Sequence, residues 1–138
     1  MLTLTVYGGV AGDELTGEIG GNKILLEWSD KAYLLDFGQR FSVSAKFFEE
    51  FLKPRTAVGL RDYLRMGLLP PLEGLYREDL SAHEPGLWER YNEHPHHRRL
   101  DHVDGVLLSH GHVDHSGALG FLRSDIPVYT GLMTAIMG

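Results

Sequence analysis

Residues 105–117 have the sequence Gly-Val-Leu-Leu-Ser-His-Gly-His-Val-Asp-His-Ser-Gly, which is the most informative stretch of the chain. An apolar run leads into a polar cluster, and a segment typical of a helix follows. The cluster consists of His110, His112, Asp114 and His115. In extended backbone His110 and His112 point the same way, because side chains alternate with a period of two. Gly111 allows a tight turn between them, and the last two members begin the helix. The pattern predicts a strand, a loop and a helix whose polar side chains converge.

The composition restricts what such a cluster can do. The chain has 138 residues, enough for one domain with its own core, and it has no cysteine. Any transition-metal site must therefore use histidine and carboxylate side chains. Neutral imidazole and carboxylate are ligands that suit Zn²⁺ and related metals. We expect His110, His112, Asp114 and His115 to form a metal site.

Charge and hydropathy narrow the class of protein. The formal net charge is −6, which argues against strong nonspecific attraction of the whole surface to nucleic acid but leaves a local basic groove possible. No apolar run reaches the roughly 18 residues of a membrane-spanning helix, and the N-terminus lacks the features of a signal peptide. We expect a cytoplasmic protein with no membrane partner.

Periodicity and turn signals outline the remaining elements. Strands are predicted at Leu2–Tyr7, Lys23–Trp28, Ala32–Phe37, Val103–Ser109 and Ile126–Tyr129. Helices are predicted around Phe47–Leu52 before Pro54, around Leu60–Leu64 before a Gly67 cap, from a Ser81–Glu84 capping box through Tyr91, and over Ser116–Arg123. Thr134–Gly138 reads as the start of a further element, and Asn92–Arg99 as a loop. The predicted fold class is α/β, a mixed β-sheet with flanking helices.

The Ser109–Gly117 motif resembles the His-x-His-x-Asp-His signature of the metallo-β-lactamase superfamily. The resemblance implies that His110 and His112 bind one metal, and that Asp114 and His115 bind a second. It further implies a dinuclear zinc hydrolase, with manganese as an alternative metal, in which a metal-bound hydroxide attacks the substrate. Asp114 would have a catalytic role in orienting that hydroxide.

A second motif, Leu34-Leu35-Asp36-Phe37-Gly38, is similar to the superfamily's aspartate at the end of an early strand. There the residue supports the metal-binding loop, and we predict that role for Asp36. The competing interpretation is that Asp-x-Gly after a strand is only a turn.

A third stretch, Gly17-Glu18-Ile19-Gly20-Gly21-Asn22, is similar to one in the ribonuclease-J-like and cleavage-factor-like RNA-processing members. It lacks the Gly-Lys-Ser/Thr of a phosphate-binding P-loop. A flexible hairpin loop and a segment that contacts substrate are equally compatible with it.

The resemblance runs from the first strand to the last but covers only the N-terminal half of the family's αββα sandwich. We therefore expect residues 1–138 to form an incomplete metallo-β-lactamase-like domain that is a poor or inactive catalyst alone. The family's later metal ligands would follow residue 138. Half a sandwich leaves an apolar sheet face, which a C-terminal half or a second copy of the chain would cover.

Outside the motif, His94, His96 and His97 lie beside Arg98 and Arg99 in a polar segment containing a proline. A solvated loop is the simplest interpretation. A second metal site, or positive charge offered to an anionic substrate, are the alternatives. His83 and His102 are interpreted as structural.

The function predicted from these features is metal-dependent hydrolysis of a phosphodiester, with RNA as the expected partner. The substrate-binding residues are unknown. Two alternatives stand beside it: a small-molecule hydrolase acting on a thioester, lactone or β-lactam, and a non-catalytic metal-binding remnant. One fold supports many functions, so the substrate rests on analogy.

Overall fold

A computed structural model describes residues 1–8, 20–48, 59–82 and 84–137. Its main feature is a five-stranded sheet in the order β1-β2-β3-β6-β7. The strands are β1 (Leu2–Gly8), β2 (Lys23–Trp28), β3 (Lys31–Phe37), β6 (Gly105–Leu108) and β7 (Val128–Thr130). A separate pair is formed by β4 (Leu72–Glu73) and β5 (Arg98–Arg99).

The sheet is mixed. β1, β2 and β3 pair antiparallel, whereas β6 lies parallel to both β3 and β7. The carboxyl ends of β3 and β6 therefore meet at one edge, which is where parallel strands deliver functional loops. The predicted α/β class, with a mixed sheet and flanking helices, is confirmed.

One face of the sheet carries the hydrophobic core. Leu25, Leu34 and Val106, from three strands, are fully buried there. Ala32 and Phe37 of β3 also belong to the cluster. Segments between residues 60 and 126 contribute the remaining members, which are Leu60, Leu64, Leu69, Leu72, Leu75, Tyr76, Leu87, Leu100, Val103, Ala118, Leu122 and Ile126. Each such leucine stabilises the fold by about 1.5–3 kcal/mol relative to an exposed one.

The opposite face is apolar as well. Along β1 it is Leu2, Leu4 and Val6 that are exposed, whereas the threonines between them are half-buried. The strand registers continue this pattern, because they align Val6, Ile24, Leu35, Leu107 and Tyr129 in one row across all five strands. Among the residues that the structure describes, nothing covers this row, and its members are exposed or half-buried.

The helices are short. They are α1 (Phe41–Phe47), α2 (Leu60–Arg65), α3 (Val113–Ser116) and α4 (Leu132–Met137), with 3₁₀ turns at Glu78–Leu80, Trp88–Tyr91 and Leu119–Phe121. α2 lies where the sequence predicted it. It ends as predicted at Gly67, where φ is +67°, and the Gly67 and Leu68 amides bond back to the carbonyls of Leu64 and Tyr63. No helix in the described ranges is long and apolar enough to cross a membrane.

Two helix predictions are wrong in extent. The helix expected from Ser81 through Tyr91 is only a 3₁₀ turn at Trp88–Tyr91, because Pro85 and Gly86 intervene, and Ser81 instead ends the preceding turn. The helix expected over Ser116–Arg123 begins earlier, at Val113, and stops at Ser116. There the Ala118 amide bonds the Phe37 carbonyl of the sheet (3.0 Å) and not a carbonyl of its own helix.

Other observed element boundaries also differ from the predicted ones. α1 begins and ends earlier than expected, and Phe51, Leu52 and Pro54 of that prediction lie outside the described residues. The strand expected at 103–109 is confined to Gly105–Leu108, since the Asp104 amide bonds the Ala32 carbonyl and the Ser109 amide bonds a side chain. The loop expected at 92–99 includes the short strand β5, and a helix covers residues 132–137, where a new element was expected.

Candidate metal centre

The motif lies where β6 ends and α3 begins. Leu108 is the last strand residue, and His112 is the extended residue before the first helical turn. His110 and His112 lie on the same side, with ring centroids 4.7 Å apart. One donor atom from each of His110, His112 and Asp114 falls within 4.8 Å of the others. Ligands of a zinc ion lie about 2.0–2.3 Å from it, so this spacing is close to that of one coordination sphere.

His115, the fourth motif residue, is held differently. Its Nδ1 lies 2.7 Å from Oδ2 of Asp36, and its Nε2 lies 3.4 Å from Oδ2 of Asp114. A carboxylate accepts, so Nδ1 of His115 donates to Asp36, and in the neutral imidazole Nε2 then presents a lone pair towards Asp114. An imidazole nitrogen and a carboxylate oxygen are both zinc-ligand types, so this donor pair fits a metal, in addition to one held by His110 and His112.

Asp36 reaches this site because β3 contains a bulge. Lys23 and Ile24 of β2 pair with Phe37 and Leu35, which leaves Asp36 without a partner, and Asp36 has a φ of +57°. Aspartate tolerates this left-handed conformation better than most residues. A bulge re-aims the side chain at that point of the strand. Asp36 is buried at the carboxyl end of β3, where its Oδ1 accepts a hydrogen bond from the amide of Ser109, the residue after β6, at 2.7 Å.

Ser109 is a residue whose position was not anticipated from the sequence. Its Oγ donates to Oδ2 of Asp36 at 2.9 Å and lies 3.0 Å from Nδ1 of His110. Since the single hydroxyl proton goes to the carboxylate, Oγ accepts from His110. That places the His110 proton on Nδ1 and leaves Nε2 free to bind a metal. The only sequence signal was a hydroxyl residue directly before the first motif histidine.

Two glycine-containing segments, Gly21–Asn22 and Gly38–Gln39, hold the backbone of the motif. We call these two segments the clasp. The Asp114 carbonyl accepts hydrogen bonds from the amides of Gly21 (2.9 Å) and Asn22 (3.2 Å), and the Val113 carbonyl accepts one from Gln39 (2.9 Å). Gly38 passes so close that a Cβ there would lie 1.6 Å from the Asp114 carbonyl oxygen. Only glycine permits this approach. The clasp fixes Asp114 relative to the ends of β2 and β3.

Lys23 lies under both segments of the clasp and is only 1 % exposed. Its Nζ donates to the carbonyl oxygens of Gly38 and Gly21 and lies 5.5 Å from the Phe37 ring centroid. Burial, with a smaller contribution from the positive charge of Arg40, lowers the pKa of Lys23 to about 7. No sequence pattern indicated that Lys23 is buried, because a lysine in a strand is normally solvated.

The other candidate histidines in the described ranges lie apart from the motif. Gly17, Glu18, Ile19 and His83 fall outside the described residues. His102 bonds the Asp30 carbonyl in the hairpin turn. His97 stacks on Trp88, whereas His94 and His96 contact each other at the surface. Within the described ranges these three histidines form no metal-sized group, so the structure does not support the second metal site.

Comparison with known proteins agrees with this geometry. The family model of the metallo-beta-lactamase superfamily matches residues 81–136, the part that contains the whole motif. The resemblance inferred from the sequence is thereby confirmed over this region. The ribonuclease-J-like branch is a finer assignment that this match leaves open. A search of curated proteins returned no match.

Among solved structures, the chain resembles a protein of unknown function from Enterococcus faecalis V583. The TM-score is 0.60 at 24% sequence identity, and the alignment covers 99% of this chain. It covers 27% of the other chain, so residues 1–138 correspond to about a quarter of that protein's length. The likeness concerns the fold.

Proposed function

We propose that this chain supplies the first four ligands of a dinuclear zinc centre in a hydrolase that cleaves phosphodiester bonds in RNA. The observation that carries the metal centre is the convergence of His110, His112 and Asp114, with the His115 Nε2 directed at the same Asp114 carboxylate. Histidine and carboxylate at this spacing suit zinc, and manganese is the second candidate.

Each side chain has a distinct part in the proposed chemistry. His110 and His112 hold one metal, and Asp114 and His115 hold the other. When bound, the metal pair would activate a water molecule as nucleophile and stabilise the charge that develops in the transition state. Asp114 would orient that water by accepting a hydrogen bond from it. Asp36 and Ser109 keep the imidazoles of His115 and His110 in the required tautomers through their Nδ1 contacts.

RNA is proposed as the substrate because of the Gly17–Asn22 stretch, which is similar to that of RNA-processing members of the superfamily. Its described part, Gly20–Asn22, lies against the metal loop, with Gly20 next to Asp114. The described end of the stretch therefore lies beside the proposed metal site.

Metal binding is tested first, by titrating zinc into metal-free protein and measuring stoichiometry by calorimetry. His112→Ala should weaken binding by about tenfold or more, since it removes one of the few protein ligands of one metal. His102→Ala is the matched control, because His102 is exposed in the hairpin region away from the motif. Equal zinc affinity in the wild-type protein and His112→Ala would exclude the proposed centre.

Substrate class is tested in the intact protein with single-stranded RNA oligonucleotides, a lactone and a thioester, each with Zn²⁺, with Mn²⁺ and after chelation. Metal-dependent RNA cleavage that is lost in His112→Ala and kept in His102→Ala supports the proposal. Turnover of the lactone or thioester without RNA cleavage would instead identify a small-molecule hydrolase. Tight metal binding with no turnover of any substrate would identify a non-catalytic metal-binding protein.

We also propose that the open apolar sheet face is buried in the functional protein, by a C-terminal half of the sandwich or by a second copy of this chain. The support is the row from Val6 to Tyr129, in which apolar side chains point away from the core on every strand. Soluble proteins seldom leave such a surface uncovered. Four motif ligands shared between two metals leave each metal short of a full set, so we expect residues 1–138 alone to be a weak catalyst.

A further inference from the structure

A second concave site lies beside the metal loop and shares none of the four motif residues. It is a cavity of about 400 Å³ between the end of β1, helix α1, the segment from Leu64 to Pro71, and the segment from Tyr91 to His96. This volume lies in the range of small-molecule sites, towards the lower end. One of its lining residues, Arg40, packs against Gly21, whose amide bonds the Asp114 carbonyl. The cavity is therefore next to the metal loop but separate from it.

The charge of the cavity is opposite to that of the chain. Arg40, Lys46, His94 and His96 line it, and no aspartate or glutamate is among its lining residues in the described part of the chain. The whole protein has a formal net charge of −6. Within the described ranges Lys46 and His94 make no ion pair. A concave wall with two cations, Arg40 and Lys46, two imidazoles that can donate hydrogen bonds and no carboxylate among its described lining residues favours an anion.

The rest of the wall is apolar and aromatic. Tyr7, Phe47 and Tyr91 line it together with Leu68, Leu69 and the two prolines that follow. Inorganic phosphate alone would leave this surface without a contact. A ligand that combines an anionic end with a flat apolar part would satisfy both, because aromatic walls stack on planar rings and lysine and imidazole donate to phosphate oxygens.

We propose that this cavity binds a phosphate ester with a planar ring, of the size of a mononucleotide, with its phosphate against Lys46 and His94 and its ring against the aromatic wall. Such a group is available as a free nucleotide or as one unit of an RNA strand. The proposal goes beyond the hydrolytic function and does not depend on it, because binding here requires no metal.

The test is calorimetric titration of the metal-free protein, kept in chelator, with uridine 5′-monophosphate, uridine and inorganic phosphate. The monophosphate should bind, and each of its two parts alone should bind about tenfold more weakly or worse, as expected when a charge-assisted hydrogen bond or the ring contact is lost. Equal affinity for uridine and its monophosphate would overturn the proposal. Because no metal is present, this result is separable from failure of the proposed hydrolase.

Variants locate the binding. Lys46→Glu should reduce the affinity for the monophosphate by about tenfold or more, and His94→Ala should reduce it to a smaller extent. Arg99→Glu is the matched control, since it alters the net charge equally at an exposed position outside the cavity. Equal losses in Lys46→Glu and Arg99→Glu would mean that only the overall charge matters, which contradicts a site here. Lys46 is exposed, so its replacement leaves the core intact.

Competition then separates the two sources of the ligand. If a short RNA oligonucleotide displaces the monophosphate and its own binding is weakened by Lys46→Glu, the cavity holds a unit of a strand. If the monophosphate binds and the oligonucleotide leaves it in place, the cavity holds a free nucleotide. Both results support the same recognition chemistry, whereas absence of monophosphate binding overturns it.

Discussion

Asp36 shows how a single residue connects strand geometry to the metal site. It is buried, has a left-handed φ, and bonds the Ser109 amide, the Ser109 hydroxyl and the His115 imidazole. A strained conformation is retained when the surrounding contacts over-determine it. Here three hydrogen bonds do so, two with Ser109 and one with His115, which is itself a proposed metal ligand.

Asp36→Asn is expected to weaken zinc binding by about tenfold or more. The amide keeps the shape of the side chain, but its NH₂ group cannot accept hydrogen bonds from His115 and Ser109 on that side. Zinc titration measures the loss, and Asp101→Asn, at an exposed position away from the motif, is the control. An unchanged zinc affinity in Asp36→Asn would reduce Asp36 to a simple turn residue.

Lys23 is the second residue whose burial has a measurable consequence. Its pKa is lowered from 10.5 to about 7 in the folded protein, mainly because burial penalises the charged form. Between these two values the unfolded chain binds more protons than the folded one, so the free energy of unfolding should rise with pH. Below about pH 7 Lys23 is protonated in both the folded and the unfolded protein. Its contribution to the free energy of unfolding is then at its lowest and no longer changes with pH.

We therefore expect stability to increase from pH 7 to about pH 9.5, with a slope of at most about 1.4 kcal/mol per pH unit. Above that range buried tyrosines such as Tyr76, whose pKa burial raises, begin to act in the opposite direction. Urea unfolding at several pH values measures the slope. Lys23→Met should flatten it, and Lys46→Met, at an exposed lysine, should not. If the free energy of unfolding of Lys23→Met rises with pH as steeply as that of the wild-type protein, another group causes the pH dependence.

Among the elements, the metal loop, residues 109–116 with the proposed metal ligands, is held more by hydrogen bonds from neighbouring segments than by its own helix α3. α3 has only four residues, which is too short to be stable by itself. The amides of Gly21, Asn22, Gln39 and Ala118 connect the loop to the ends of β2 and β3. The early glycine-rich segment thus has a structural role in its described part, where the sequence left a hairpin loop and a substrate contact equally open.

Gly38→Ala tests this clasp. A Cβ at Gly38 would lie 1.6 Å from the Asp114 carbonyl oxygen, so the metal loop must move away from β3. We expect a loss of stability of about 1–3 kcal/mol and weaker zinc binding. Gly120→Ala is the matched control, because no atom lies within 4 Å of the added methyl group and φ is not positive there. If Gly38→Ala and Gly120→Ala have equal melting temperatures and equal zinc affinities, the clasp is contradicted.

In the whole molecule, both faces of the sheet are apolar, but among the described residues only one face is covered by other segments of the chain. The open row from Val6 to Tyr129 resembles a core surface more than a solvent surface. A large exposed apolar patch marks an interface in soluble proteins. The half-sandwich expected from the sequence accounts for such a face.

Residues 1–138 alone are therefore expected to self-associate through this face. Leu4→Lys, which places a charge on a side chain that is 57 % exposed on β1, should shift the equilibrium towards monomer with little loss of stability. Phe41→Lys, at a 53 % exposed position on α1, should leave association unchanged. Sedimentation equilibrium measures both. A wild-type chain that stays monomeric at high concentration would show that the face is tolerated in water.

Local patterns in the sequence predicted the α/β class, the first three strands and the end of α2, and they identified the chemically specific run from His110 to His115. The sequence indicated a supporting position for Asp36 only through the resemblance. Contacts between distant segments produced the bulge that turns Asp36 towards Ser109 and the close approach of Gly38 to Asp114. They also produced the burial of Lys23, the basic cavity, and the break after Ser116. The physical reason is the same in each case. These features depend on hydrogen bonds and close packing between segments that are distant along the chain, which no local sequence pattern indicates.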